Sequence, residues 1–134
     1  MEFLVCYDDS AVSKDALRAA QKHAAQWNAD IRIVSAVTRV EPIKHEKITK
    51  MEAQLELEIG ALFEGMNIPY TVNLHVDEVE AGEKIVKIAR RKKVDLIFLG
   101  IRKRSKVGKL LFGSTAQYVI LNAHCPVVTV GGGQ

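Results

Sequence analysis

The segment from Gly100 to Thr115, GIRKRSKVGKLLFGST, gathers the residue types that bind phosphate. Gly113, Ser114 and Thr115 precede a helical stretch expected over Ala116 to Asn122, so small residues lead straight into a helix N-terminus. The first N–H groups of a helix lack intrahelical partners and carry partial positive charge, and the missing side chain at Gly113 lets an anion approach the main chain. Arg102, Lys103, Arg104, Lys106 and Lys109 lie between the two ends of the segment with no acidic residue to offset them. The chemistry this points to is capture of a polyanion by backbone donors and cations. The alternative is a solvated basic loop above a helix cap, needing no ligand.

Two other phosphate loops fail on spacing. A Walker A loop needs G-x-x-x-x-G-K-[ST]; Gly108 and Lys109 supply its centre, but Lys103 stands at its first glycine and Leu110 at its hydroxyl. The dinucleotide fingerprint G-x-G-x-x-G belongs after the first strand, where this chain has Asp8, Asp9 and Ser10. A nicotinamide dehydrogenase is thereby set aside.

The elements that must position these residues follow from periodicity. Glu2 to Tyr7 is a short apolar run and a first strand. Ala16, Leu17, Ala20, Ala24 and Trp27 recur at helical spacing over Val12 to Trp27, with Ser10 or Ser13 as the cap. Ile31 to Val37 is a second strand. Ile48, Met51, Leu55, Ile59 and Leu62 give a helix from about Lys44 to Glu64 one apolar face, with Gly65 as its stop. Pro69 to Val76 alternates apolar and polar residues, as an edge or half-covered strand does. Glu83 to Lys92 is a third helix; Val94 to Leu99 is a strand apolar but for Asp95, ended by Gly100; the last strand is Val127 to Val130. Five strands alternating with four helices in 134 residues predict an open doubly wound α/β fold as one domain over residues 1–134. Ligands in such folds bind beyond the carboxyl ends of the strands at the switch point.

Taken together, these residues resemble the universal stress proteins along essentially the whole chain. Nucleotide-binding members carry a glycine, two residues, a second glycine, nine residues, then Gly followed by Ser or Thr. Gly100, Gly113 and Ser114 fall at matching positions, and Lys103 replaces the second glycine. The opening VCYDDSAVSKDALRAA, with Asp8 and Ser10, and the ending GSTAQYVILNAHCPVVTV are also similar to the family. The resemblance implies a Rossmann-like parallel sheet in the order 3-2-1-4-5, of the adenine nucleotide alpha hydrolase-like type, and binding of ATP or AMP. It implies that Asp8 bonds the adenine or ribose side, that Val37 contacts the base through its backbone, and that Gly100, Gly113, Ser114 and Thr115 hold phosphates, with Arg102 and Lys103 as electrostatic partners. It also implies a homodimer through the last strand, where Val127, Val128 and Val130 would otherwise leave a sheet edge unpaired. If the second glycine needs positive φ, Lys103 costs about 1–2 kcal/mol there; a charge-assisted bond to phosphate returns about 1.5–3 kcal/mol.

Simpler roles stand beside these. Asp8 can cap a turn, Val37 can pack, and Gly113 and Ser114 can cap a helix. Glu46, Glu52, Glu56 and Glu58 read as a solvated helix face paired with lysines. His23, His45, His75 and His124 are dispersed without metal-ligand spacing, and Cys6 and Cys125 fit no metal or redox motif, so both are expected to be reduced packing residues. The basic run Arg90 to Lys93 sits where a helix dipole favours cations. A net charge of +3 and 6% aromatic residues argue against a nucleic-acid surface. No secretory pattern follows Met1 and no apolar run spans a bilayer, so the cytoplasm is the expected location and no membrane partner is expected. No nucleophile with an attendant base is evident. The expectation is therefore a nucleotide-binding stress-response module without efficient turnover, with Mg²⁺ accompanying a triphosphate; the alternative is a nucleotide-independent interaction module of the same fold.

Overall fold

A computed structural model describes residues 1–102 and 113–131. The elements run β1 (Glu2–Cys6), α1 (Ala11–Trp27), β2 (Asp30–Thr38), α2 (His45–Leu62), β3 (Tyr70–Asp77), α3 (Ala81–Lys92), β4 (Leu96–Ile101), α4 (Ser114–Asn122) and β5 (Val127–Gly131). The strands form one parallel sheet in the order β3-β2-β1-β4-β5. Because β1 lies between β2 and β4, the chain changes direction across the sheet at β1/β4, and a crevice opens at their carboxyl ends.

The buried stretches of the central strands are apolar because both of their faces are covered. Phe3, Val5 and Tyr7 join Leu17, Ile33, Ile59 and Phe98 on the α1/α2 side, while Leu4, Cys6, Val34, Ile97 and Leu99 join Ile85, Ala89 and Val119 on the α3/α4 side. The alternation in β3 has the expected cause: it is an edge strand, and Val72 and Leu74 pack against the first core.

Local chemistry sets the helix ends. Ser10 caps α1, its hydroxyl accepting from the Ser13 amide at 3.2 Å. Helices α1 and α3 close on Asn28 and Lys93 in the left-handed conformation, each at φ 54°. Gly113 is the N-cap of α4, which begins two residues earlier than its apolar spacing indicates.

Two expectations are corrected. Gly100 does not end β4: the strand continues to Ile101, with Gly100 paired to Val130. The reason for a glycine is proximity, since a Cβ there would lie 2.3 Å from the Val12 carbonyl oxygen in the first turn of α1. The apolar face of α2 is also only partly used. Leu55 and Ile59 are buried, whereas Ile48 and Met51 are only half-buried, because the N-terminal half of α2 stands off the sheet.

Gly100→Ala should therefore lower stability in urea unfolding by about 3 kcal/mol, the upper end of overpacking costs, because the obstacle is backbone. Gly113 has φ −66° and open space where a Cβ would lie, so Gly113→Ala should cost about 1 kcal/mol or less, the scale of an altered N-cap.

Candidate functional site

A cavity of about 640 Å³ occupies the switch-point crevice. Its floor is apolar, made by Cys6, Val34, Leu99 and Ile101 at the strand ends. Its polar rim is Asp8, Ser10, Gly100, Arg102, Gly113, Ser114 and Thr115. Stretches far apart in sequence are thus brought to one opening by three elements: the β1–α1 turn, the end of β4 and the start of α4. Val37 is not on this rim. It lines an adjoining cavity of about 590 Å³ that shares Tyr7, Asp8 and Ala36 with the first. Lys103, with Arg104, Lys106 and Lys109, lies outside the described residues.

Asp8 is locked by its own turn. Its Oδ1 accepts from the Ser10 amide at 3.0 Å and from the Ser10 hydroxyl. Ser13 Oγ donates to the Ser10 carbonyl at 2.9 Å and accepts weakly from the Asp8 amide at 3.4 Å. Partial burial opposes ionisation of Asp8, but the Ser10 hydroxyl and amide, Ser13 and the Arg102 charge outweigh it and hold the carboxyl below its ordinary range. Asp8 is accordingly an anion at neutral pH and repels phosphate. It suits donors, such as the hydroxyls of a sugar or an amino group.

Two helix N-termini are near the crevice, and they differ. That of α1 is satisfied by Ser10, while among the described residues α4 has neither a side-chain cap nor an acidic residue in its first turn. The α4 amides therefore retain donor capacity toward the cavity. Gly113 is extended, at φ −66° and ψ 163°, so its glycine is not required by backbone strain; it supplies clearance.

The adjoining cavity contains groups that sequence reasoning missed. Tyr7, 3% exposed, directs its hydroxyl to Asp9 Oδ1 at 3.2 Å and more weakly to Glu58 Oε2 at 3.5 Å. Burial first, then Asp9 and Glu58, push the phenol well above its ordinary pKa, which keeps it a donor. Gln54 donates to Glu58 Oε1 at 3.1 Å. Glu58 is thus half-buried and hydrogen-bonded, a departure from the solvated glutamate face expected of α2. Its place just before buried Ile59 was the available signal. Asp9 adopts φ 65° and pairs with Lys14 at 3.2 Å.

Among the described residues, no cluster of three or more His, Cys, Asp or Glu side chains could hold a metal, and no helix is long and apolar enough to cross a membrane. Burial pushes the Cys6 thiol up to about 12, with Asp8 adding to the effect, so it is an inert packing group on the cavity floor.

Comparison with known proteins agrees with this fold. The Universal stress protein family matches residues 1–131. A universal stress protein of Methanocaldococcus jannaschii is 30% identical over 132 residues, spanning 92% of this chain and 77% of that protein. The structure of a universal stress protein from Archaeoglobus fulgidus matches with a TM-score of 0.80 at 30% identity, covering 96% of this chain and 97% of the other. A further structure, of the universal stress protein from Archaeoglobus fulgidus in complex with dAMP, matches with a TM-score of 0.74 at 25% identity over 96% of both chains. With its whole described fold and nearly its whole length accounted for in this way, the chain belongs to the universal stress protein family.

Proposed function

We propose that residues 1–134 act as one universal stress protein domain that binds an adenine nucleotide, ATP or AMP, at the switch-point cavity. The observation that carries this reading is the opening of an uncapped helix N-terminus and a locked anionic Asp8 onto one cavity. Phosphates fit the α4 amides, Gly100, Ser114 and Thr115, with Arg102 and Lys103 supplying charge. The sugar fits Asp8 beside Ser10, and the base reaches the backbone of Val37. The related Archaeoglobus fulgidus protein in complex with dAMP supports this assignment. Mg²⁺ accompanies a triphosphate through phosphate oxygens rather than a dedicated protein cage.

The role is binding without efficient turnover. A carboxylate held below its ordinary pKa is a weak general base, and Asp8 Oδ1 is already occupied by Ser10. Homodimerisation through β5 fits an edge strand whose Val127, Val128 and Val130 are only half-covered. A cytoplasmic setting completes the proposal.

ATP or AMP should raise the melting temperature, and mass spectrometry of the denatured protein should detect carried-over nucleotide. If millimolar ATP, ADP and AMP all leave the melting temperature unchanged, the nucleotide-independent interaction module replaces this reading. Gly113→Tyr should weaken ATP binding in calorimetry by about tenfold or more, equivalent to about 1.4 kcal/mol, with little change in the melt of the free protein. Asp8→Asn tests the locked turn. Because the folded carboxyl is depressed, its stabilisation is present above the ordinary carboxylate pKa and lost as pH falls through the lower folded value. The variant should accordingly be less stable than wild type at pH 7 and converge with it in thermal melts once the pH falls below the depressed folded value.

A further inference from the structure

The chamber of about 590 Å³ beside α2 has the size of a small-molecule site and a lining of its own. It lies on the α1/α2 side of the sheet: Leu55 and Leu74 in its walls belong to the core on that side, whereas Cys6, Val34 and Leu99 on the floor of the switch-point cavity belong to the core on the α3/α4 side. The sheet thus stands between the bodies of the two spaces. Met51 and Leu74 are only half-buried, so apolar surface faces the chamber uncovered.

The charges along this lining are unevenly committed. Asp8 is held by Ser10, Asp9 by Tyr7 and Lys14, and Glu58 by Gln54 at 3.1 Å and more weakly by Tyr7 at 3.5 Å. Lys47 and Lys50, both exposed on the first half of α2, line the same chamber and pair with no carboxylate among the described residues. Glu58 follows Lys50 by eight residues, about 12 Å along the helix axis at 1.5 Å per residue. Uncommitted positive charge therefore stands at one end, carboxylates with partners at the other, and apolar side chains between.

We infer that this chamber is a second ligand site, separate from the nucleotide cavity, that takes a carboxylic acid with an apolar body. The carboxylate pairs with Lys47 and Lys50, and the hydrocarbon covers Met51, Leu55 and Leu74. A single negative charge fits better than several, because Asp8, Asp9 and Glu58 repel any anionic group carried farther in. The inference does not rest on the nucleotide reading.

The test is calorimetry of the whole chain with octanoate and with octan-1-ol, which share an alkyl body and differ in charge. Octanoate should bind more tightly by about tenfold to a hundredfold, the range of a hydrogen bond to a charged group. Both lysines are on the surface, so Lys47→Ala with Lys50→Ala should leave the fold intact and reduce that preference to about threefold or less, with octanol binding unchanged. Met51→Trp, which fills the chamber, should weaken both ligands by about tenfold. The inference is overturned if octanoate shows no saturable binding at low millimolar concentration, if octanol binds equally well, or if the double lysine variant keeps the wild-type preference. Displacement of octanoate by ATP also overturns it, because the space would then belong to the nucleotide site. Absence of ATP binding, with octanoate bound as expected, overturns the nucleotide reading alone.

Discussion

The site depends on one close approach, that of the first turn of α1 to β4 at Gly100. With no Cβ on Gly100, the Val12 carbonyl lies where a side chain would begin. That contact places Ser10, and through it the Asp8 turn, over the end of the neighbouring strand. Across the same opening stands the start of α4, held by the crossing of α3 and α4 at Gly82, where a Cβ would meet Tyr118 Cβ at 2.9 Å. Two glycines inside regular elements thus set the width of the crevice, while Gly113, in open space, has no such packing duty.

Within that frame, the two helix starts have separate tasks. Ser10 satisfies α1 and at the same time neutralises the demands of the Asp8 carboxylate, leaving a rigid anion on one side of the cavity. The start of α4 is left uncapped, with donors on the other side. The cavity is therefore polarised, accepting hydrogen bonds at Asp8 and donating them at Ser114 and Thr115. A ligand with hydroxyls at one end and anionic oxygens at the other matches this order. Among the described residues, no cluster of metal-binding side chains is involved in creating it.

Helix α2 introduces an asymmetry between the two faces of the sheet. Leu55, Ile59 and Phe63 anchor its C-terminal half in the core, and Phe63 stacks on Tyr70 with ring centroids 4.1 Å apart. Between α2 and the strand ends a chamber remains, lined by Lys47, Lys50 and Met51 of the helix's first half and by Gln54 and Glu58 farther on, with Tyr7 opposite. A helix seated along its whole length would have buried Met51 and closed this space. Half-seated packing gives up some apolar burial and leaves a lined chamber beside the crevice.

Much of the architecture was legible in the residues themselves. Short apolar runs together with period-two and period-3.6 patterns located all nine elements, and the Asp8–Ser10 turn and the Gly113–Ser114 start of α4 were marked by short polar residues and glycine, whose preferences are local. The alternation in β3 was consistent with an edge or a half-covered position, and the strand order places it at the edge. Other features belonged to the tertiary structure. That Gly100 lies within β4 and faces Val12, that Val37 enters a second chamber, and that Glu58 turns from solvent toward Tyr7 all depend on distances between segments remote along the chain. Periodicity reports which face of an element is apolar, not how far along that face a neighbour reaches, so the seating of α2 and the chamber beneath it were decided only by packing.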